Sequence, residues 1–530
     1  MDGTRAAANI TADELKEPMA RPRLLGWLSR RGPASLAAAV VFAVSLALYV
    51  KTLLPGPSFG DWSEMQFLPS IFGVPHPTGY PLYMLLNQAF SYLPVGTPAW
   101  RADLLSAVAG AGAAAISVLI CTRLGVRPVI AAIGGLTLAV TGTLWLESTF
   151  SEMNSLHLLL SALLIHRALV WRVERRDRDL RLGAAIGGLA LANHALAITV
   201  VPIVVAFVLV DARWQLIRHP ELIIQAALLL LAGVALYVVI PLRALVGPAS
   251  VYGALLTWDG FSSLVTGAMF RRDMHFGTGE SLSTAWRAVP DIVAHLEAAS
   301  SRLFVYAGAI GIALLFLRNR WAAMLFVVLA AVNVYFFAGY TGKLEHYLLL
   351  TWLLLAVGLA VLAEMVLESL VRLLGHGVEG AELLLLILPL TIGAANLSTH
   401  DQSGNVVGQD FATTVFAQLP QNAVLLTYWD TLTNLSYVHC VEGERPDVSL
   451  RAYDPAAKVT CDPWNGRLED VAVQRPVYAL FIFQQDIDPL RRNFNLIGGP
   501  TFAVPYGERT PNQQAVLYRL ELKASALAGP

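Results

Sequence analysis

Long apolar runs separated by short polar connections dominate the chain from residue 34 to residue 395. An α-helix needs about 20 predominantly apolar residues to cross the hydrocarbon core of a bilayer. Runs near that length lie at 34–54, 102–122, 128–146, 154–171, 183–210, 222–241, 302–318, 322–339, 346–366 and 381–395. The pattern predicts a polytopic α-helical membrane domain of about 10–12 helices. From residue 396 onward the polarity becomes ordinary. Short apolar runs at Ala423–Thr427, Val477–Phe483 and Ala515–Leu522 are bounded by turn residues and read as strands. The expected organisation is a polar N-terminal segment at 1–33, a transmembrane domain at 34–395 and a C-terminal soluble α/β domain at 396–530.

Charge sets the expected orientation. Arg21, Arg23, Arg30 and Arg31 precede the first run, and Arg123 and Arg127 follow the second. Arg167, Arg172, Arg175, Arg176, Arg178 and Arg181 cluster after the fourth, Arg213 and Arg218 precede the sixth, and Arg318 and Arg320 separate the seventh from the eighth. The opposite connections, 147–153 and 340–345, hold one Lys between them. Positive residues stay on the cytoplasmic side, which puts the N-terminus inside and the loops 55–101 and 242–301, with the tail, outside. The run 183–210 is basic at both ends yet too short for two full spans at 1.5 Å rise per residue. It predicts a hairpin of short helices turning near Asn193-His194. Irregular backbone at membrane depth must be covered by protein or water, so this hairpin should line a cavity; one tilted span is the alternative.

Composition narrows the function classes. The chain of 530 residues is 56% hydrophobic and 14% charged, with mean hydropathy +0.57, against about 25% charged in a soluble domain. A net charge of −1 leaves no basic footprint for nucleic acid. No Walker or Rossmann fingerprint is present, which argues against an ATP-driven pump. Three cysteines are too few for a disulfide scaffold. Cys440 and Cys461 either pair in an oxidising compartment or remain thiols, and Cys121 packs within a span. The Ala/Leu/Arg-rich composition points to a bacterial plasma membrane, with an endoplasmic-reticulum membrane as the alternative.

The ionisable groups gather at the outer face. Asp61 and Glu64 stand just past the first span, at a spacing that puts both on one side of a helix. A partly desolvated carboxylate there suits a general base; two solvated loop acids are the plain alternative. His76, between two prolines, is held in a stiff extended stretch, suited to a phosphate or hydroxyl or simply to water. Glu147 and Glu152 add carboxylates from the second short outer loop. Together these acids could accept protons or hold a divalent metal, although no His/Cys cluster signals one. Arg243 and the pair Arg271-Arg272 suit a lipid phosphate or an interfacial anchor, and the same two readings apply to His346-Tyr347 at the head of the ninth span. A transporter would more often place such groups at the midplane.

The stretch Gly60-Asp61-Trp62-Ser63-Glu64 with Pro75-His76-Pro77-Thr78-Gly79-Tyr80-Pro81 resembles the signature of the transmembrane-protein-260-like family. That family comprises GT-C membrane glycosyltransferases, whose eukaryotic members are protein O-mannosyltransferases. Ser151-Glu152-Met153-Asn154, Leu191-Ala192-Asn193-His194, Pro241-Leu242-Arg243, Met269-Phe270-Arg271-Arg272 and Glu444-Arg445-Pro446-Asp447 follow in the family's order. Trp62 stands where a small residue is common, and His346 stands before Tyr347 where an Arg is usual, which puts one phosphate contact in doubt. The resemblance implies a GT-C-like fold and a sugar on a polyprenyl phosphate, transferred at the non-cytoplasmic face to a protein, lipid or glycan acceptor. It implies Asp61 as base, Glu64 and Glu152 in support, and inversion of configuration. It also implies donor contacts from His76, Tyr80, Asn193, His194, Arg243, Arg271, Arg272, His346 and Tyr347. The alternatives from other classes are a flippase for a lipid-linked saccharide and a non-catalytic assembly protein.

Overall fold

The computed structural model describes residues 31–212, 218–246, 254–275, 279–340, 345–374, 380–453, 461, 466–483, 487–506 and 510–524. Eight helices among the described residues are long and apolar enough to cross a membrane: Gly32–Lys51, Pro98–Arg123, Met153–Glu174, Ala195–Ala212, Pro220–Val246, Arg302–Gly339, Glu345–Leu374 and Ala381–His400. We number the regular helices α1 (Arg31–Lys51), α2 (Gly60–Phe67), α3 (Pro81–Ser91), α4 (Pro98–Arg123), α5 (Pro128–Ala139), α6 (Gly142–Glu147) and α7 (Met153–Glu174). After these come α8 (Asp177–Asn193), α9 (Val201–Ala212), α10 (Pro220–Val234), α11 (Val239–Val246), α12 (Trp258–Val265), α13 (Gly279–Ala298), α14 (Arg302–Gly339) and α15 (Leu349–Leu374). The chain is an integral membrane protein. Its central helices α4, α7 and α15 are buried over 72% of their most apolar windows, whereas Pro220–Val246 and Ala381–His400 are buried over only 11%. In a bilayer those two outer helices face lipid.

Two predicted reversals are present. Helix α14 is non-helical at Asn319 (φ −152°, ψ 83°). Gly308 on its first leg lies against Leu355, and Asn333 on its second leg bonds Tyr347 and Thr351. Both legs therefore run along α15 in opposite directions. Arg318, at the turn, pairs with Glu368. Likewise α8 runs in and α9 runs back. Asp179 of α8 pairs with Arg167 at 3.1 Å and Asp211 of α9 with Arg172 at 3.1 Å, so both ends of this hairpin meet the same end of α7. The backbone turns at His194, and the hairpin lines an apolar cavity of about 460 Å³ with α7 and α10.

The run 128–146 is one span in the sequence pattern and two short helices in the structure, α5 and α6. The break at Val140–Thr141 is held from outside: Asn396 Nδ2 donates to the Val140 carbonyl at 2.9 Å, and the Gly142 N–H to that of Ala299 at 2.8 Å. The legs of α14 and α15 pack at backbone contact, because a Cβ at Gly311 would sit 1.7 Å from the Gly358 carbonyl oxygen. Gly311→Val must separate the helices. Overpacking of that kind costs about 1–3 kcal/mol, and the expected result is a lower thermal unfolding midpoint in detergent, read by tryptophan fluorescence.

The last membrane helix contains α16 (Ile387–His400), and the tail contributes α17 (Val407–Ala417), α18 (Trp429–Cys440) and α19 (Leu468–Ala472) with a sheet of order β2-β1-β3-β5-β4. Its strands are β1 (Val424–Thr427), β2 (Ser449–Ala452), β3 (Val477–Phe481), β4 (Phe494–Tyr506) and β5 (Thr510–Leu522). β1 is parallel to both β2 and β3, and β5 is antiparallel to β3 and β4. β2 and β4 are absent from the sequence reading. β2 spans only four residues, and Gly498-Gly499-Pro500 in β4 read as a breaker, where the ladder in fact shifts register. A disulfide joins Cys440 to Cys461, which resolves the choice left open above, and Cys121 is buried. One continuous apolar core runs from the membrane helices into the tail, through Phe59 against Phe411 and Phe411 against Phe502.

Candidate active site

The short helix α2 carries both predicted acids, and three contacts fix it. Gly60 opens it with a left-handed backbone (φ 57°), where a Cβ would also meet Asp430 at 2.8 Å. Gln66 accepts from the Ser58 N–H at 2.9 Å and donates to the Asp103 carboxylate at 3.1 Å, while Asn87 of α3 donates to the Met65 carbonyl at 2.9 Å. The i, i+3 spacing does put the two acids on neighbouring positions, but their surroundings differ. Glu64 has no exposed side-chain surface, whereas the Asp61 side chain is 48% exposed. Glu64 is no solvated loop acid.

His76 comes back onto α2 from the Pro-rich stretch. Its N–H donates to Glu64 at 2.9 Å, and its Nδ1 forms a very short hydrogen bond to the same carboxylate. Its Nε2 lies 3.0 Å from the Tyr80 hydroxyl and 3.7 Å from Asp61. Burial opposes a charge on His76, but the Asp61 and Glu64 carboxylates outweigh it and raise the imidazole to about 10. Burial pushes Glu64 up as well, so the proton between the two is held tightly. Tyr80 precedes α3 with a left-handed backbone (φ 40°), a conformation that costs a bulky residue about 1–3 kcal/mol. Its hydroxyl donates to the Pro77 carbonyl at 2.9 Å. Strain of this kind persists where the surroundings over-determine it.

A second group of acids faces the first. Ser106 of α4 accepts from the Glu152 N–H and donates to its carbonyl, both at 3.0 Å. Asn154 Nδ2 bridges Glu147 at 3.0 Å and Glu152 at 3.3 Å, and Glu147 pairs with His346 at 3.3 Å. Burial, then the neighbouring Glu147, push Glu152 up. Above these, the His194 ring lies 5.5 Å from those of Tyr80 and His157 and 6.3 Å from Tyr347. Asn193 donates to the Met153 carbonyl at 3.1 Å. Asp61, Glu64, His76, Tyr80, Glu152, Asn193, His194, His346 and Tyr347 thus converge at one end of the bundle. That end lies opposite the arginines: α7 runs 22 residues from Met153 to the Arg-rich end, about 33 Å at 1.5 Å per residue.

The arginines stand apart from this cluster. Arg243 is buried and donates to the Gly73 carbonyl at 3.1 Å, with longer contacts to Met84 and Gln88. In this arrangement it braces the loop leading to His76. Arg271 is exposed and donates to Thr266 at 3.2 Å. A bridge from Met274 to Tyr340 brings its turn to the rim of the cluster. The Arg272 side chain lies outside the described residues. Sequence reasoning missed His157, whose Nδ1 is buried without a hydrogen bond, and Trp429, whose indole N–H donates to Asp61 at 2.8 Å. Nothing in the sequence links Trp429 to a residue 368 positions away. Asp61, Glu64 and His76 each offer a ligand atom within 4.8 Å of one another, a set able to take a divalent cation. To bind there, an ion would have to compete with the Glu64–His76 and His76–Tyr80 hydrogen bonds.

Residues 61–218 match the family model described as "Protein O-mannosyl-transferase TMEM260 N-terminal domain". The chain is 28% identical to the Protein O-mannosyl-transferase TMEM260 of Mus musculus over 461 residues, 79% of this chain and 63% of that protein. It is 23% identical to the Dictyostelium discoideum protein of the same name over 469 residues, 78% of this chain and 56% of that protein. It thus spans rather less than two thirds of these relatives. Among solved structures, ArnT from Cupriavidus metallidurans matches in its apo state with TM-score 0.56 and bound to undecaprenyl phosphate with TM-score 0.55. Both matches have 15% identity and cover 96% of this chain and 100% of ArnT. The chain therefore has a GT-C-like membrane fold and, over residues 61–218, the sequence pattern of the TMEM260 N-terminal domain.

Proposed function

We propose that this protein is a membrane glycosyltransferase that moves a sugar, mannose by analogy with the relatives' names, from a polyprenyl-phosphate donor to an acceptor hydroxyl. The observation that carries the reading is Asp61. It is a half-exposed carboxylate beside a buried, proton-holding Glu64–His76 pair, at the end of the bundle opposite the arginines. By the charge rule the arginine-rich end is cytoplasmic, so the chemistry takes place outside. Asp61 removes the proton from the acceptor hydroxyl as its oxygen attacks the anomeric carbon. The bond from that carbon to the phosphate oxygen breaks, and its electron pair leaves with the polyprenyl phosphate. Attack opposite the leaving group inverts the configuration. The His76 cation and Arg271 at the rim neutralise the departing phosphate, since charge placed where charge develops lowers the barrier. Glu152 supports the acceptor side, and His194 and Tyr347 wall the sugar. The undecaprenyl phosphate bound to ArnT supports a lipid-phosphate donor for this fold.

The test uses purified protein in detergent with undecaprenyl-phosphate mannose, radiolabelled in the sugar, and envelope protein from cells lacking the gene. Label in protein is the expected result. A flippase would form no sugar–acceptor product, and that outcome would sink the reading. Because the His76 cation already stands among these carboxylates, transfer is expected to survive EDTA. A rate that falls at least tenfold and returns with Mg²⁺ or Mn²⁺ would instead assign the cluster to a metal.

A further inference from the structure

Asp61 belongs to the membrane domain, yet the hydrogen bond that aims its carboxylate comes from the tail. Trp429 follows β1 directly and opens α18. Its indole N–H donates to Asp61 Oδ1 at 2.8 Å, while the other carboxylate oxygen faces His76 Nε2 at 3.7 Å. The same indole meets the His76 ring edge to face at 6.3 Å. This contact is one point of a built interface. Ser63 of α2 donates to the Thr433 carbonyl at 3.1 Å, Asn434 donates to the Ser58 carbonyl at 2.7 Å, and the Ala99 N–H donates to the Tyr437 hydroxyl at 3.0 Å. Ser63, Thr433, Asn434 and Tyr437 are essentially unexposed.

The topology of the tail explains why a functional group stands there. β1 lies between two parallel neighbours, and the chain passes from β1 to β2 on one side and then from β2 across to β3 on the other. In open α/β sheets the crevice at such a switch point, outside the carboxyl ends of the strands, is where ligands bind. The carboxyl end of β1 runs from Thr427 through Tyr428 into Trp429, whose indole meets Asp61.

We propose that Trp429 is a positioning residue for the base, and that the tail domain forms the acceptor-side wall of the active site. Its indole N–H ties one oxygen of Asp61 and leaves the other to meet the acceptor hydroxyl above the strand ends. This rests on the glycosyl-transfer reading, so the test must separate the two.

Trp429→Phe keeps an aromatic ring and removes the donor. A small misplacement of a catalytic group can cost about 10²-fold. With undecaprenyl-phosphate mannose as the probe, Trp429→Phe should lower kcat by about tenfold to a hundredfold and leave the donor KM unchanged. Trp429→His, which restores a ring N–H, should recover part of the loss. Tyr437→Phe removes a docking bond at the far end of the same helix and should retain kcat. The same variants are compared in gene-deleted cells by mass spectrometry of the restored glycopeptides, a readout that assumes no donor. Wild-type kcat in Trp429→Phe would overturn the proposal, and so would equal losses in Trp429→Phe and Tyr437→Phe. Asp61→Asn is the control for the reading beneath it. Activity in Asp61→Asn refutes the base, whereas a dead Asp61→Asn beside a fully active Trp429→Phe refutes only Trp429.

Discussion

Asp61→Asn is expected to lower kcat by about 10²–10⁴-fold, the usual contribution of a positioned general base, with the donor KM near the wild-type value. The geometry favours so clean a result. The Asp61 side chain is 48% exposed, and the buried His76 keeps Glu64 as its hydrogen-bonded partner when the Asp61 charge is exchanged for an amide. The amide oxygen can still accept from the Trp429 indole, as Oδ1 does now. The variant should therefore express and unfold like the wild type, and the loss should appear in turnover alone. Steady-state kinetics on the detergent-purified protein, with a thermal melt of each sample, make the measurement. Near-wild-type turnover would remove Asp61 from the mechanism.

The second large effect is on stability. His76→Leu leaves Glu64 with no exposed surface and no cationic partner. Removing one member of a buried pair costs about 3–5 kcal/mol, because the other charge is left uncompensated, whereas replacing both with apolar residues is often neutral. The double variant Glu64→Met/His76→Leu should accordingly be more stable than His76→Leu alone. Measuring both melts would decide it, and a double variant no better than the single would mean that the pair carries no such coupling. The pH dependence has a definite sign. His76 is raised from its ordinary value of 6.5 to about 10, so its protonation stabilises the fold fully below about pH 6.5. That contribution fades as pH climbs through about 10. The wild type should lose thermal stability progressively across this alkaline window, and the double variant should not show that step.

Much of the membrane domain was legible because one physical requirement, burial of backbone in hydrocarbon, writes itself into the sequence as apolar runs. The turn at Asn319 lies between Arg318 and Arg320, two charges that mark a boundary. The reversal at His194 followed from basic residues at both ends of a run too short for two spans. The break at Val140–Thr141 was not legible, since its carbonyl is satisfied by Asn396, far away in the chain. In the site, the spacing of Asp61 and Glu64 and the Pro-His-Pro stretch carried the assignment. The contrast between a buried Glu64 and a half-exposed Asp61 needed coordinates, because burial is a property of the neighbours. Arg243 was read as a phosphate contact or an interfacial anchor from its place at a span end, and its hydrogen bond to the Gly73 carbonyl, 170 positions away, had no local signature. Trp429 belongs to a later domain and has no local signature at all.

The contacts of α18 on α2 join residues 368 to 370 positions apart. All eight membrane helices named above are therefore synthesised before Trp429. Until then Asp61 lacks the indole N–H that ties one of its oxygens, and a chain that ends before α18 carries the membrane helices without that contact. On the glycosyl-transfer reading proposed above, synthesis order becomes a safeguard: turnover reaches its full rate only once the tail has folded back onto the first loop.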